Sequence, residues 1–189
     1  MLRPMKRRSP WSVARRRALS FASLGSLAVT LAVTLAPSRA EAGPKLGIEG
    51  DFALPMSVNG SSAGAGGSAR LGYDLSLPLI HIMPEAGLGF HKLTGAGGPS
   101  IFRGFVGGRA GFGAGVRFDG FVHIGYGNLA FASGSTGSPI LDAGLAIDFT
   151  LLPVLDLGIH ASYNTTLKDP GPGDPIRWLG LGAHVAISF

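Results

Sequence analysis

Apolar and polar residues alternate along most of this chain, most strictly in the segment 177–189. One face of that segment is uniformly apolar, whereas the other carries Trp, Gly, Ala, Ser and one His. The apolar face consists of Leu179, Leu181, Ala183, Val185, Ile187 and Phe189. A period of two residues places successive side chains on opposite faces of a β-strand. A tilted transmembrane strand needs about 9–11 residues, so this segment is long enough to cross a membrane.

The same period recurs upstream and predicts eight strands in total. They are 45–54, 69–77, 82–93, 101–111, 116–127, 140–149, 154–164 and 177–189. Long connections (55–68, 94–100, 128–139, 165–175) alternate with short ones (78–81, 112–115, 150–153). This rhythm is typical of a barrel with loops on one side of a membrane and turns on the other. We therefore predict an all-β fold, an eight-stranded antiparallel up-and-down transmembrane β-barrel.

The composition of the polar face predicts which face points outward. A soluble lipocalin-like barrel also alternates, with its apolar residues inside, and a soluble periplasmic binder of that type is an alternative. Its exterior would need many Lys, Glu, Thr and Gln side chains, whereas the polar face here is mostly Gly, Ala and Ser with charges of both signs. Small residues suit a crowded lumen, and large apolar residues suit lipid.

Aromatic residues cluster towards both ends of the predicted strands. Those at the short-turn ends are Phe118, Phe149 and Phe189, and those near the long-loop ends are Phe52, Phe90, Phe102, Tyr126 and Tyr163. The rise from Phe118 to Tyr126 on a tilted strand is roughly 20 Å, close to the ~25 Å apolar band between the aromatic girdles of membrane barrels. The spacing therefore favours a membrane.

The first 42 residues differ in kind from the rest. A basic region up to Arg17 precedes an apolar run from Ala18 to Ala36, and small residues follow around Ala40 and Ala42. This order is typical of a cleavable secretory signal peptide. We predict a signal peptide at 1–42 and the barrel at 43–189, with cleavage after Ala42 or, less favourably, Ala40. An uncleaved membrane anchor is the alternative for this segment.

The net charge of +5 arises from this leader. Eight of the 16 Lys and Arg residues lie at or before Arg39, and of the 11 acids only Glu41 does, so the remainder carries 8 − 10 = −2. The basic balance is therefore no indication of nucleic acid as a partner. The absence of Cys is compatible with passage through an oxidising periplasm.

The last strand resembles that of bacterial outer-membrane β-barrels, in which a terminal aromatic after alternating apolar residues is read by the outer-membrane assembly machinery. The matching residues are Phe189, Ile187, Val185 and Gly182. The chain as a whole is similar in pattern to the outer membrane protein A and X types. That resemblance implies a monomer in the outer membrane of a Gram-negative bacterium, in contact with outer-membrane lipid and lipopolysaccharide. It also implies a structural or surface-binding role without a cofactor.

The inward parity of the strands gathers charges of both signs. The predicted lumen set is Arg70, Arg103, Arg109 and Arg117 with Glu49, Asp51, Asp74, Glu85, Asp119, Asp142, Asp148 and Asp156. Unpaired charges in a narrow lumen are costly, so we expect a network of ion pairs. Because eight strands leave room only for side chains, we expect a filled lumen rather than a gated pore.

One pair of residues suggests an enzymatic alternative. His160 and Ser162 share a face of the seventh predicted strand, and a base beside a hydroxyl is the minimum for nucleophilic catalysis. The His-x-Ser pattern resembles that of outer-membrane lipid A deacylases, which implies a lipid-modifying barrel enzyme. Parity, however, turns both residues inward, and the last strand has no Glu to orient the histidine.

His91, His123 and His184 lack metal-site spacing, and the Gly-rich stretches lack the features of a phosphate loop.

Overall fold

The computed structural model describes residues 42–57, 60–77, 79–168 and 175–189. The predicted signal peptide therefore lies outside the described residues except for Ala42, which opens the first strand and pairs with Leu75. Among the described residues, no helix is long and apolar enough to cross a membrane.

The described chain forms eight antiparallel strands that close into a barrel in sequence order. The strands are β1 (Ala42–Pro55), β2 (Ser62–Ser76), β3 (Ile80–Thr94), β4 (Ser100–Ala114), β5 (Val116–Phe131), β6 (Gly134–Leu152), β7 (Leu155–Thr166) and β8 (Arg177–Ser188). Pairing of β1 with β8, from Lys45 opposite Ser188 to Pro55 opposite Trp178, closes the ring. Closure removes every free sheet edge, which a strand in a membrane requires because lipid offers no hydrogen bonds. The predicted fold class is confirmed.

The connections between strands are shorter than predicted, and three of the differences move residues of the predicted connections into strands. β2 begins at Ser62, inside the predicted loop 55–68, and β5 and β6 continue through most of the predicted loop 128–139, leaving only 132–133 between them. β3 begins at Ile80, so His81 belongs to a strand and not to a turn. These segments are rich in Gly, Ser and Ala and lack a clear apolar alternation, but pairing with neighbouring strands extends them. Long connections at one end of the barrel therefore alternate less strictly with short turns than predicted.

Side-chain exposure alternates along each strand, with the large apolar residues outside. Ile48 is 57% exposed and Leu145 70% exposed, whereas the intervening charged residues are mostly buried. The aromatic residues predicted at both strand ends all lie on the outer face. A soluble lipocalin-like barrel has the opposite arrangement, so that alternative is wrong. The outer surface is one that hydrocarbon solvates better than water does.

The interior has two zones. Near the end of the barrel that carries the connections after β1, β3, β5 and β7, which we call the loop end, a compact apolar cluster fills the lumen. It consists of Ala53, Leu93, Ile101, Leu129, Ile140, Ile176 and Trp178, each at most 4% exposed. The rest of the lumen, down to the opposite turn end, is occupied mainly by charged and polar side chains, with Met83, Phe105 and Phe121 among them. The apolar cluster, hereafter the loop-end plug, separates the charged zone from the loops.

Glycine makes room in the lumen for large neighbours on adjacent strands. A Cβ on Gly107 would lie 2.1 Å from the Val122 carbonyl oxygen and 2.7 Å from the His123 Cα atom. A Cβ on Gly144 would lie 2.4 Å from the Phe121 ring. Small residues on one strand thus face bulky residues on the next, which is how small barrels fill a tapering interior. The glycine-rich composition of the strands has this steric cause.

Two glycines of β4 provide a matched test of this packing. Gly104 faces outward, where an added Cβ would meet nothing closer than 3.5 Å from Leu88. We expect Gly107→Ala to lower the free energy of unfolding by about 1–3 kcal/mol because of overpacking. Gly104→Ala should leave it unchanged or raise it by roughly 0.5–1 kcal/mol. Urea unfolding in detergent micelles measures both, and equal midpoints would contradict the steric role of Gly107.

Candidate functional site

The charged lumen is the candidate site, because it gathers nearly all charged side chains of the described strands. Every residue of the predicted lumen set lies on the inner face, either buried or partly buried. The set divides into three groups of ion pairs along the barrel axis, each formed by residues from several strands. Lys45 and His81 join the set, although the sequence did not single them out.

The group nearest the turn end contains Lys45 of β1 and Arg117 of β5. Lys45 is ion-paired with Asp156 and lies 3.6 Å from Asp74. An Arg117 Nη atom donates to Asp156 at 2.7 Å, and the Thr150 hydroxyl donates to the other oxygen of the same carboxylate at 2.7 Å. Asp156 therefore links β7 to three other strands at this end of the barrel.

The middle group is centred on Arg109 of β4. Its guanidinium nitrogens lie 3.6 Å from Asp119, 3.6 Å from Asp148 and 3.7 Å from Glu85. The same guanidinium lies 5.2 Å from the centre of the Phe121 ring, in cation–π range.

Arg70 of β2 extends the middle group towards β1 and β3. It is ion-paired with Glu49, and its Nε atom lies 3.3 Å from Glu85. Glu49 also accepts a hydrogen bond from the Ser68 hydroxyl at 2.7 Å. Charges buried with several partners in this way are far more stable than an isolated buried charge.

The group below the loop-end plug contains Arg103 of β4. An Nη atom of Arg103 lies 2.5 Å from Asp142 and donates to the Asn164 side-chain oxygen at 3.0 Å. The guanidinium lies 5.4 Å from the centre of the Phe105 ring. Asp51 lies in the same region and contacts His91 at 3.1 Å.

All five histidines of the chain point into the lumen, each no more than 7% exposed. His123 lies between Asp142 and Glu85, with one ring nitrogen 2.7 Å from each carboxylate. His184 lies 2.7 Å from Asp148, and its other ring nitrogen is 3.5 Å from His160. The histidines are thus part of the ion-pair network and not separate sites.

Lys45, His81 and the loop-end plug are missing from the lumen set predicted from the sequence, although all of these residues occupy inward-facing positions. Lys45 shares the face of Glu49, and His81 shares the face of Glu85 once β3 is extended to Ile80. The plug follows from the same parity, because Leu93 and Trp178 continue inward positions at the loop end. Of Lys45, His81, Leu93 and Trp178, only His81 lies outside a predicted strand; the other three lie inside predicted strands, but the predicted lumen set does not include them.

The lumen contains very little free space. A cavity of about 10 Å³ lies among Arg70, His81, Met83, Glu85, Arg109 and Asp148. That volume is at the lower limit for one water molecule. The plug and the charged side chains below it therefore occupy most of the lumen that the structure describes.

The geometry of His160 and Ser162 does not support catalysis. Both lie on the inner face of β7, and His160 is 7% exposed. Within the described part of the chain, no hydrogen bond joins the two side chains. Ser162 accepts from the Asn164 amide at 2.9 Å, whereas His160 lies 4.0 Å from Asp51 and beside His184. A nucleophile needs its base within hydrogen-bond reach and access to substrate.

No metal site is formed by the described residues, since no three His or carboxylate side chains converge as ligands. Arginines separate the carboxylates and occupy the positions where a cation would bind. The arrangement can therefore hold the barrel wall together electrostatically.

The ion pairs of the lumen provide a test by substitution. We expect Arg103→Ala to lower the free energy of unfolding by about 3–5 kcal/mol, because the buried Asp142 would lose its guanidinium partner and keep only His123. Lys168→Ala, in an exposed connection, should leave the urea midpoint unchanged because an exposed charge contributes little. Similar midpoints for the two variants would show that Arg103 does not stabilise the barrel through the lumen.

Known proteins resemble this chain in structure and not in sequence. No protein-family model and no curated protein sequence matches the chain. The crystal structure of Neisserial surface protein A superposes with a TM-score of 0.55 at 16% identity, over 78% of this chain and 97% of that one. The N-terminal β-barrel domain of Pseudomonas aeruginosa OprF gives 0.53 at 12% identity, over 79% and 100%. The chain therefore has the fold of the small eight-stranded outer-membrane β-barrels.

Proposed function

We propose that this protein is an outer-membrane β-barrel of a Gram-negative bacterium with a structural or surface-binding role and a closed lumen. The observation that carries this proposal is the division of the barrel into an apolar exterior and a filled, ion-paired interior. An exterior of exposed Leu, Ile, Val and Phe is stable in lipid and would aggregate in water. Bacterial barrels of this architecture span the outer membrane.

The closed lumen supports a role without transport. Passage of a solute would require separation of the ion pairs around Arg109 and displacement of the loop-end plug. Separating one partner from a buried pair costs several kcal/mol, and the plug would lose its apolar contacts. The role is therefore performed by the surface and by the scaffold itself.

The loop end supports an interaction with the anionic groups of lipopolysaccharide. Three exposed basic residues lie there, Lys92, Lys168 and Arg177. Every acidic residue that the structure describes lies in the lumen instead. These three cations at the loop end favour contact with lipid phosphates at the membrane surface.

Cell fractionation tests the location. The protein should sediment with outer membranes, resist extraction by salt, and migrate differently on gels with and without boiling, because a closed barrel keeps its shape in cold detergent. Lipopolysaccharide should co-purify with it, and less should do so with the Lys92→Gln/Arg177→Gln variant. Release by salt alone, with no heat-dependent mobility, would end the proposal.

Activity measurements test the closed lumen and the enzymatic alternative together. Purified barrel should show no steady conductance in a planar bilayer and should release no fatty acid from lipopolysaccharide, because the lumen is filled and His160 does not face lipid. Large, steady current steps would show that the lumen opens. Fatty-acid release that disappears in both His160→Ala and Ser162→Ala, with barrel mobility retained, would favour the deacylase alternative.

A further inference from the structure

The charges inside the lumen do not balance. Eight carboxylates lie there: Glu49, Asp51, Asp74, Glu85, Asp119, Asp142, Asp148 and Asp156. Only five Lys and Arg side chains lie among them: Lys45, Arg70, Arg103, Arg109 and Arg117. The remaining described Lys and Arg residues are exposed at the loop end. The lumen therefore carries an excess of three negative charges when its histidines are neutral.

An excess of this size is difficult to maintain in a closed interior. Buried charges without partners are strongly disfavoured, and such groups bind a proton or a counter-ion instead. The cavity beside Arg70, Glu85 and Arg109 has a volume of about 10 Å³, which is room for one water molecule and not for a hydrated counter-ion. The surrounding wall and the membrane proposed around it add no compensating charge. The excess must therefore be neutralised by groups within the lumen itself.

The five histidines are placed to do so. His123 contacts two carboxylates, Glu85 and Asp142, at 2.7 Å each. His184 contacts Asp148 at 2.7 Å, and His91 contacts Asp51 at 3.1 Å. A neutral imidazole has one N–H group, whereas an imidazolium has two. His123 lies between two carboxylates, so it can donate a hydrogen bond to both of them only when it is protonated.

The other two histidines have mixed surroundings. His81 lies 3.3 Å from Asp119, and the charged groups that face it inside the lumen are Asp74, Lys45, Arg109 and Arg117. His160 lies 4.0 Å from Asp51 and 3.5 Å from His184, and Glu49 is also near. His184 also faces Arg70 and Arg109, and His123 faces Arg109 through their shared partner Glu85. Simultaneous protonation of all five would place His160 and His184 in repulsion.

We propose that the lumen is a proton-binding interior that takes up about three protons when the barrel folds and holds them on its histidines. His123 is the primary site, because its two ring nitrogens lie 2.7 Å from two different carboxylates, Asp142 and Glu85. The resulting imidazolium–carboxylate pairs complete the neutralisation that the Lys and Arg side chains leave unfinished. The barrel then depends on bound protons as other small domains depend on a bound ion.

Refolding of the unmodified protein measures the proton uptake directly. An unfolded histidine has a pKa of about 6.5, so at pH 8 the urea-unfolded chain carries few of these protons. Dilution into weakly buffered detergent at pH 8, followed with a pH indicator, should show uptake of about three protons per barrel. The unfolding equilibrium constant should then rise about 1,000-fold per pH unit above pH ~7.5, because the folded state binds three more protons than the unfolded state.

Variants that change the charge of the lumen should change the number of protons taken up on folding in a defined direction. Asp142→Asn removes one carboxylate and should reduce the uptake to about two protons, whereas Lys45→Met removes one cation and should raise it to about four. Lys168→Gln, outside the lumen, should leave it at about three. The unmodified protein alone already decides the proposal if a variant does not fold.

An uptake below one proton, with stability independent of pH between 7.5 and 9, would overturn the proposal. In that case added sodium or calcium ions should instead stabilise the barrel steeply, which would assign the neutralisation to bound metal cations. A count of three in Asp142→Asn as well as in the unmodified protein would also contradict the proposal, because the protons would then not follow the lumen charge.

Discussion

The structure depends on the neutralisation of charge inside a barrel from which lipid and nearly all water are excluded. Arg109 illustrates the constraint, since three carboxylates from three other strands surround one guanidinium. Glu85 and Asp119 lie on the two strands next to β4, whereas Asp148 lies on β6, two strands away. Hydrogen bonds in the wall join neighbouring strands only. Ion pairs such as Arg103 of β4 with Asp142 of β6, and Arg117 of β5 with Asp74 of β2, cross the lumen and link strands that are not neighbours.

A second constraint is steric and follows from the small number of strands. Eight strands enclose a lumen that side chains fill completely, so each large inner residue needs a small one beside it. Gly107 beside His123 and Gly144 beside Phe121 meet this need. The glycines therefore decide where the charged and aromatic side chains can lie. Packing and electrostatics are coupled in this way, because a displaced ring or guanidinium would lose its partners.

The two zones of the lumen have different consequences for function. The loop-end plug, with Trp178 and Leu93 fully buried, closes the barrel towards the loops. Below it, the ion-paired zone fills the remaining length with side chains from all eight strands. Both zones argue for a rigid scaffold, and they leave the loop end and the lipid-facing wall as the surfaces available for binding.

The sequence by itself determined the number of strands, their antiparallel order and the face on which each residue lies. These properties follow from local periodicity, so Arg103 and Asp142 could be placed inside without knowledge of their neighbours. Tertiary structure alone decided that these two residues pair with each other, because pairing depends on register and on closure of β1 against β8. The same holds for strand ends: Ser62 and Leu129 are in strands because neighbouring strands supply hydrogen bonds, although their own segments are weakly patterned. The alternation of residues along a strand shows which face a side chain lies on, but it does not show which residue on another strand it contacts. The ion pairs of the lumen depend on those contacts.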